Sequence, residues 1–155
     1  MYLGPNNSVG FPASNIIGFL KADKSASCVR VFVKDTRAWK TYGYAIRGSV
    51  MVTPSFIPFI GSGGEPLRFN GFKGQFAVQQ DTCSPNAKVH MNVLRPRLDL
   101  PWALKLNLRI LEGELVTESL MKEWFTLGGM MVGIAAYHPE FGRFKVEQWD
   151  VTTED

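Results

Sequence analysis

Two histidines, His90 and His138, are the chain's only side chains that titrate near neutral pH without help, so acid–base chemistry would have to start from them. Tyr137 precedes His138, and such a pair could take a proton from a hydroxyl and return one to a leaving group. Neighbours on an extended chain point to opposite sides, however, and His138 stands before Pro139, a setting for an exposed loop. Asp81, Asp99, Glu112 and Glu114 are dispersed, with no pair at metal-ligand spacing. Cys28 and Cys83 lie far apart and form no CxxC, which argues against zinc and against a disulfide framework, and suits a reducing compartment. Cys83 has no basic neighbour to lower its pKa. Neither a Walker-type nor a dinucleotide glycine pattern occurs. The chain reads as non-catalytic, with no metal and no cofactor, and with His138, His90 and Tyr137 as its acid–base candidates.

Cations interleaved with aromatics suggest a different chemistry, the holding of a polyanion. Lys105 and Arg109 alternate with leucines, Arg143 and Lys145 flank Phe144, and Arg95 and Arg97 flank Pro96. Arg68 and Lys73 sit with Phe69 and Phe72 in GSGGEPLRFNGFKG, residues 61–74, where five glycines and a proline demand loop or hairpin. Arg37 to Gly48 is also aromatic and basic (Arg37, Trp39, Lys40, Tyr42, Tyr44, Arg47) and reads as an exposed loop or a ragged strand. Gly128, Gly129, Gly133 and Gly142 form a fourth feature. Backbone N–H groups freed by glycine can make an anion nest beside Arg143; equally, Gly128 and Gly129 could end a helix and Gly142 turn the chain.

The elements that must position these residues follow from periodicity. Leu120, Met121, Trp124 and Phe125 recur at helical spacing, Thr117 can cap that helix, and Val116 and Met121 can staple its start. Glu118 and Lys122 stand at i,i+4 on its polar side. Trp102, Leu104, Leu106, Leu108 and Ile110 face one way and Ala103, Lys105, Asn107 and Arg109 the other, which predicts one strand from Trp102 to Ile110. Val89, Met91 and Val93 alternate in a strand that Arg95-Pro96-Arg97 interrupts, and Phe144 and Val146 mark a last half-buried strand. Near the start, Met1 to Leu3 reads as a strand end, Gly4 to Asn7 as a turn, and Pro12 as the first turn of a helix through Leu20. Residues 27–34 alternate like a strand yet could extend that helix; the reading is a break and a second element. Ser49 to Thr53 predicts a short strand, with another apolar piece at Ile57 to Ile60.

These elements give an α+β chain, a single domain over 1–155, with an antiparallel sheet carrying two helices on one face in a ferredoxin-like or RRM-like arrangement and a glycine-rich loop insertion. If the leucines and Phe144 meet the helices, Lys105, Asn107, Arg109, Arg143 and Lys145 share the open face. Such a face is how the RNA-recognition fold holds single strands, although an antiparallel sheet also simply wets one face. With 155 residues, 45% hydrophobic and 20% charged, the chain is long and apolar enough for a real core, and its charge of +3 permits a polyanionic partner without requiring one. No stretch approaches a membrane span, and MYLGPNNSVG lacks the regions of a signal peptide, so the expected location is the cytoplasm.

Two segments carry a resemblance. GFPASNIIGFLKA, residues 10–22, resembles the helix entry of the RAMP superfamily, the ferredoxin-like subunits that form the backbone and processing components of CRISPR effector complexes. LGGMMVGIAAYHPEFGRFKV, residues 127–146, resembles that superfamily's C-terminal helix, glycine-rich loop and strand. RPRLDLPWALKLNLRI, then a helix, then VGIAAYHPEFGRFKV is similar to a group of phage proteins of the same type, on Arg95, Pro96, Arg97, Pro101 and Trp102, then Gly128, Gly133, Pro139, Gly142, Arg143 and Phe144. The likeness covers roughly the last 65 residues and the first 25, and is absent in the middle. Two departures stand out. Almost no chain precedes the helix entry, where such proteins carry a strand, so a sheet edge is expected to be open to another chain and self-association follows. Ile134 to His138 also replaces a further glycine and arginine, which weakens a phosphate-cradling role for the loop.

The resemblance implies an oligomeric, non-catalytic module for single-stranded DNA or RNA. Its residues are Lys105, Arg109, Arg143, Lys145, Arg95, Arg97, Arg68 and Lys73, with Gly128, Gly129, Gly133 and Gly142 as the loop. A phage protein that docks on a CRISPR effector complex, or on another protein partner, without nucleic acid is the alternative. An RNA-processing ribonuclease using His138, His90 or Tyr137 is the second.

Overall fold

The structure, a computed structural model, describes residues 2–21, 26–86, 89–134 and 142–153, of which 83–86, 89 and 90 are described by backbone alone. In chain order the elements are β1 (Tyr2–Leu3), β2 (Val9–Pro12), α1 (Ser14–Leu20), α2 (Cys28–Phe32), α3 (Trp39–Ser49), β3 (Val50–Thr53) and β4 (Phe56–Ile60). There follow β5 (Phe76–Asn86), β6 (Val89–Leu98), β7 (Ala103–Leu104), β8 (Asn107–Ile110) and α4 (Glu118–Met131). All the strand pairs are antiparallel, so the chain is α+β. It divides into two compact units: Met1–Pro12 with Phe56–Lys105, and Ala13–Ser55 with Leu106–Asp155.

The first unit is all β. Its main sheet has the order β1-β2-β4-β7, and Val9, Phe11 and Ile57 are buried in it. Phe59 packs edge-on against both Phe11 (5.3 Å) and Trp102 (5.2 Å). Gly10 stands where a Cβ would strike the Ile57 backbone, so β2 and β4 can pair there only through glycine. The unit's other element is the long β5–β6 hairpin, in which Phe76 faces Leu98 and Thr82 faces Asn92. β6 runs unbroken from Val89 to Leu98, so Arg95-Pro96-Arg97 does not interrupt it as its proline suggested. Pro96 faces Val78 on a two-stranded ladder, where an edge position tolerates the missing N–H.

Among the described residues, the second unit holds the four α-helices and the β3–β8 pair. Val50 and Val52 turn inward, joined in the core by Ile16, Phe19 and Leu20 of α1, Cys28 and Val29 of α2, Ile46 of α3, and Met121, Trp124 and Phe125 of α4. Thr117 caps α4, its hydroxyl accepting from the Leu120 N–H at 3.2 Å, and Val116 and Met121 are both buried, as the sequence suggested. Gly128 and Gly129 do not end α4 but lie buried within it. A Cβ on Gly128 would come within 2.7 Å of Cys28 Sγ and 2.9 Å of the Phe19 ring, so glycine here permits close packing. The helix is closed instead by Gly133, at φ 74°, whose N–H returns to the Gly128 carbonyl at 3.0 Å.

Other expectations are corrected or made specific. Pro12 closes β2, and the helix starts two residues later, at Ser14. The second element expected over residues 27–34 is present as the short helix α2, its N-terminus capped by Ser27; tertiary burial of Cys28 and Val29 outweighs the strand-like alternation of Val29, Val31 and Val33. The stretch from Trp39 to Ser49 is neither loop nor strand but α3. The single strand from Trp102 to Ile110 is two: β7 pairs with β4 in the first unit and β8 with β3 in the second. Its alternation survives intact, with Leu104, Leu106, Leu108 and Ile110 half-buried and Ala103, Lys105, Asn107 and Arg109 exposed. Phe144 and Val146 likewise alternate with exposed Arg143 and Lys145, yet residues 142–153 join no ladder.

Candidate nucleic-acid interface

The cations expected to line one sheet are divided. Lys105 belongs to the first unit and Arg109 to the second. On β3–β8 the outward face presents Met51, Thr53, Asn107 and Arg109, with Met51 directly opposite Arg109, so it carries one cation rather than a row. Lys145 Nζ lies 2.7 Å from Glu147 Oε1, and Arg97 Nε lies 2.7 Å from Asp99 Oδ1. Each carboxylate raises its partner's pKa through the hydrogen bond first and the charge second. Arg95 lies 3.5 Å from Asp81, half-buried on the hairpin. Arg143 is exposed beside Phe144, while Arg68 and Lys73 are exposed in the first unit's glycine-rich loop.

The glycine nest meets a physical obstacle. Gly128 and Gly129 spend their amides inside α4, which leaves Gly133 and Gly142 as the loop's glycines. These two frame the connection, with the Ile134 N–H donating to the Gly142 carbonyl at 3.0 Å. Tyr137 and His138 lie outside the described residues, and so does the His90 side chain. Among the described residues no group of three or more His, Cys, Asp or Glu side chains could hold a metal ion. No helix of these residues is long and apolar enough to cross a membrane.

A basic and aromatic cluster does assemble on α3. Trp39, Lys40, Gly43, Tyr44 and Arg47 recur at three- and four-residue spacing, which puts them on one side of the helix. Ile46, the buried residue of α3, lies next to Trp39 on the helix surface and borders that face. With Lys21 at the end of α1, these residues line a groove of about 270 Å³. Among the described residues that line it, three are cationic, two are aromatic, and none is acidic. Gly43 keeps the floor open, since a Cβ there would already touch Lys21 Cδ at 3.6 Å. Lys21 itself is only 8% exposed, so its chain is packed into the wall of the groove.

The aromatic parts are held in place. The Trp39 indole N–H donates to the Val33 carbonyl at 2.8 Å, while the Arg30 guanidinium lies 4.9 Å from its ring centroid. Lys40 Nζ lies 5.9 Å over the Tyr44 ring, which is 61% exposed. Just before the helix, Asp35 accepts from the Arg37 N–H at 3.0 Å and so caps the turn Thr36–Ala38 that leads into it. The aromatic and basic composition of 37–48 was visible in the sequence, but its fold was not. Gly43, Gly48 and three aromatics lower helix propensity, and Ile46 alone marks the buried side. The signal that could have found it is the four-residue recurrence of Trp39, Gly43 and Arg47 beside Lys40 and Tyr44.

No protein-family model, curated protein or solved structure matches the chain.

Proposed function

We propose that the protein binds single-stranded nucleic acid, without catalysis, and that the α3 groove is its principal contact. The observation that carries this is the groove's lining among the described residues: Lys21, Lys40 and Arg47 around Trp39 and Tyr44. Cations hold phosphates, and an aromatic face accepts a base of any identity, each stacked base contributing about 1–3 kcal/mol. The RAMP-like, ferredoxin-like reading of residues 1–155 belongs to the same proposal, and its support is the mixture of helices with antiparallel strand pairs. Self-association is supported by the β5–β6 hairpin, whose outer edges join no other strand among the described residues. A cytoplasmic setting is part of the same proposal.

The test is fluorescence anisotropy with labelled single-stranded DNA and RNA across a salt series. The two exposed cations of the groove, Lys40 and Arg47, predict log affinity falling with log salt at a slope of about −1.4, from roughly −0.7 per contact on single strands. Lys40→Glu with Arg47→Glu should abolish binding and leave stability within about 0.5 kcal/mol, since both side chains are exposed. Affinity that is flat with salt, or unchanged in that variant, refutes the reading. A protein-docking role is favoured by one observation, the exposed stripe of Leu127, Met130 and Met131 along α4. Flat salt dependence, with complex formation lost in Met130→Glu, would select it.

A further inference from the structure

The first unit carries its own aromatic and basic cluster, remote in sequence from α3 and unused by the groove. Phe72 is 55% exposed, an unusual position for so large an apolar ring. It is not loose: it stands edge-on to Phe69 at 5.2 Å, and Phe69 in turn stands edge-on to Phe76 at 5.5 Å. The loop beneath these rings is braced from both sides. The Phe69 N–H donates to the Asn7 carbonyl at 2.9 Å, Arg68 bridges Ser8, and the Val9 N–H donates to the Leu67 carbonyl at 2.8 Å. On the other side the Phe76 N–H returns to the Lys73 carbonyl at 3.1 Å, and Gln75 Nε2 donates to the carbonyls of Asp99 (3.0 Å) and Pro101 (2.8 Å). Gly71 and Gly74, at φ 85° and 62°, supply the left-handed residues that such a compact loop requires. The outcome is a water-facing ring in a braced loop that also carries two exposed cations, Arg68 and Lys73.

An exposed aromatic ring sharing a braced loop with two exposed cations suits a base and its adjoining phosphates. We propose that the Arg68–Lys73 loop is a second nucleotide-contact site, in which Phe72 stacks on an unpaired base and Arg68 and Lys73 hold the adjoining phosphates. This rests on the reading of the protein as a single-strand binder and adds the first unit to its contact surface. Stacking without a hydrogen-bonded base edge makes the site tolerant of sequence, and it selects unpaired over duplex nucleic acid because a paired base offers no free face.

The test uses ultraviolet cross-linking of the full chain to oligothymidylate and oligouridylate, followed by tryptic mass spectrometry. The expected result is adducts on two peptides, Phe69–Lys73 from this loop and Thr41–Arg47 from α3. Phe72→Ala should lower affinity about 5- to 100-fold, and should do so with an unchanged unfolding midpoint. Lys73→Glu, an exposed change that leaves the rings alone, should flatten the salt slope by about 0.7. Adducts confined to Thr41–Arg47, with Phe72→Ala and Lys73→Glu binding like wild type, overturn this site and leave the α3 reading standing. Wild-type protein that neither binds nor cross-links overturns both.

Discussion

The substitution Gly128→Ala sets helix propensity against packing at a single atom. In the interior of an exposed helix, alanine in place of glycine stabilises by about 1 kcal/mol. At Gly128 the added carbon would stand 2.7 Å from Cys28 Sγ and 2.9 Å from Phe19 Cζ, distances that real Cβ atoms essentially never show. Neither neighbour is the free end of a flexible side chain, since Cys28 and Phe19 are 0% and 4% exposed. Overfilling a close-packed site of this kind costs about 1–3 kcal/mol. The net expectation is a loss of about 1 kcal/mol, with packing the larger effect. Gly18→Ala in α1 provides the control, because a Cβ there meets nothing within 4 Å. It should raise stability by about 0.5–1 kcal/mol. Urea denaturation of the two variants beside wild type therefore reads the packing cost directly, as two identical chemical changes with opposite signs. The coupling can be checked as well: in a Cys28→Ala background Gly128→Ala should cost at least about 0.5 kcal/mol less, as contacting pairs usually do. If Gly128→Ala stabilises as much as Gly18→Ala, α4 does not sit against α2 and Phe19 as described.

The remaining predictions concern the same unit. Trp149 donates its indole N–H to Glu118 Oε1 at 2.6 Å while its ring packs on Phe125 at 5.7 Å, so Trp149→Phe should keep the ring contact, lose about 1.5–3 kcal/mol for a charge-assisted bond, and speed proteolysis of the C-terminal segment. Trp124→Ala should cost about 3–5 kcal/mol by chemical denaturation, since that ring is 3% exposed and meets both Phe32 and Tyr42. Burial pushes the Cys28 thiol well above its ordinary pKa, so in a Cys83→Ser variant it should resist thiol reagents until the protein unfolds. The folded value lies above the unfolded one of about 8.5, so the associated stability is complete below that pH and is lost as pH climbs through the folded value. Denaturation midpoints that rise from pH 8 to pH 10 in the Cys83→Ser variant, but not with Cys28→Ala added, would contradict this.

What the sequence revealed, and what it hid, divides by the range of the physics involved. The α4 helix was legible because its cap at Thr117 and its apolar stripe are local, and the alternation from Leu104 to Ile110 was legible because strand side chains alternate whatever they pair with. Pairing is non-local, and so the break at Lys105–Leu106 left no trace in the pattern: a chain passing from one unit to the other keeps its period while changing partners. Gly128 and Gly129 look like helix terminators because glycine often is one. Only the positions of Cys28, Phe19 and Phe144 in the fold reveal that here the missing side chain matters more than the free backbone.

The same distinction is the reason for placing the proposed contact on α3 and not on the sheet. Counting lysines and arginines treats every cation as equally available, yet Lys145 and Arg97 each face a carboxylate two residues away, at 2.7 Å. Exposed pairs of that kind are weak, about 0.2–1 kcal/mol, so a phosphate could break either one. What remains afterwards is the carboxylate, now close to a second anion, and that repulsion offsets most of what the cation supplies. Among the described residues that line the α3 groove there is no acidic side chain, and Lys40 and Arg47 are exposed there. The ranking can be measured: Glu147→Gln should bring Lys145 into play and raise oligonucleotide affinity slightly, whereas an acid placed in the groove, Gly43→Asp, should lower it by at least tenfold. If Gly43→Asp binds as tightly as wild type, the groove is not where the strand lies, whatever its charge.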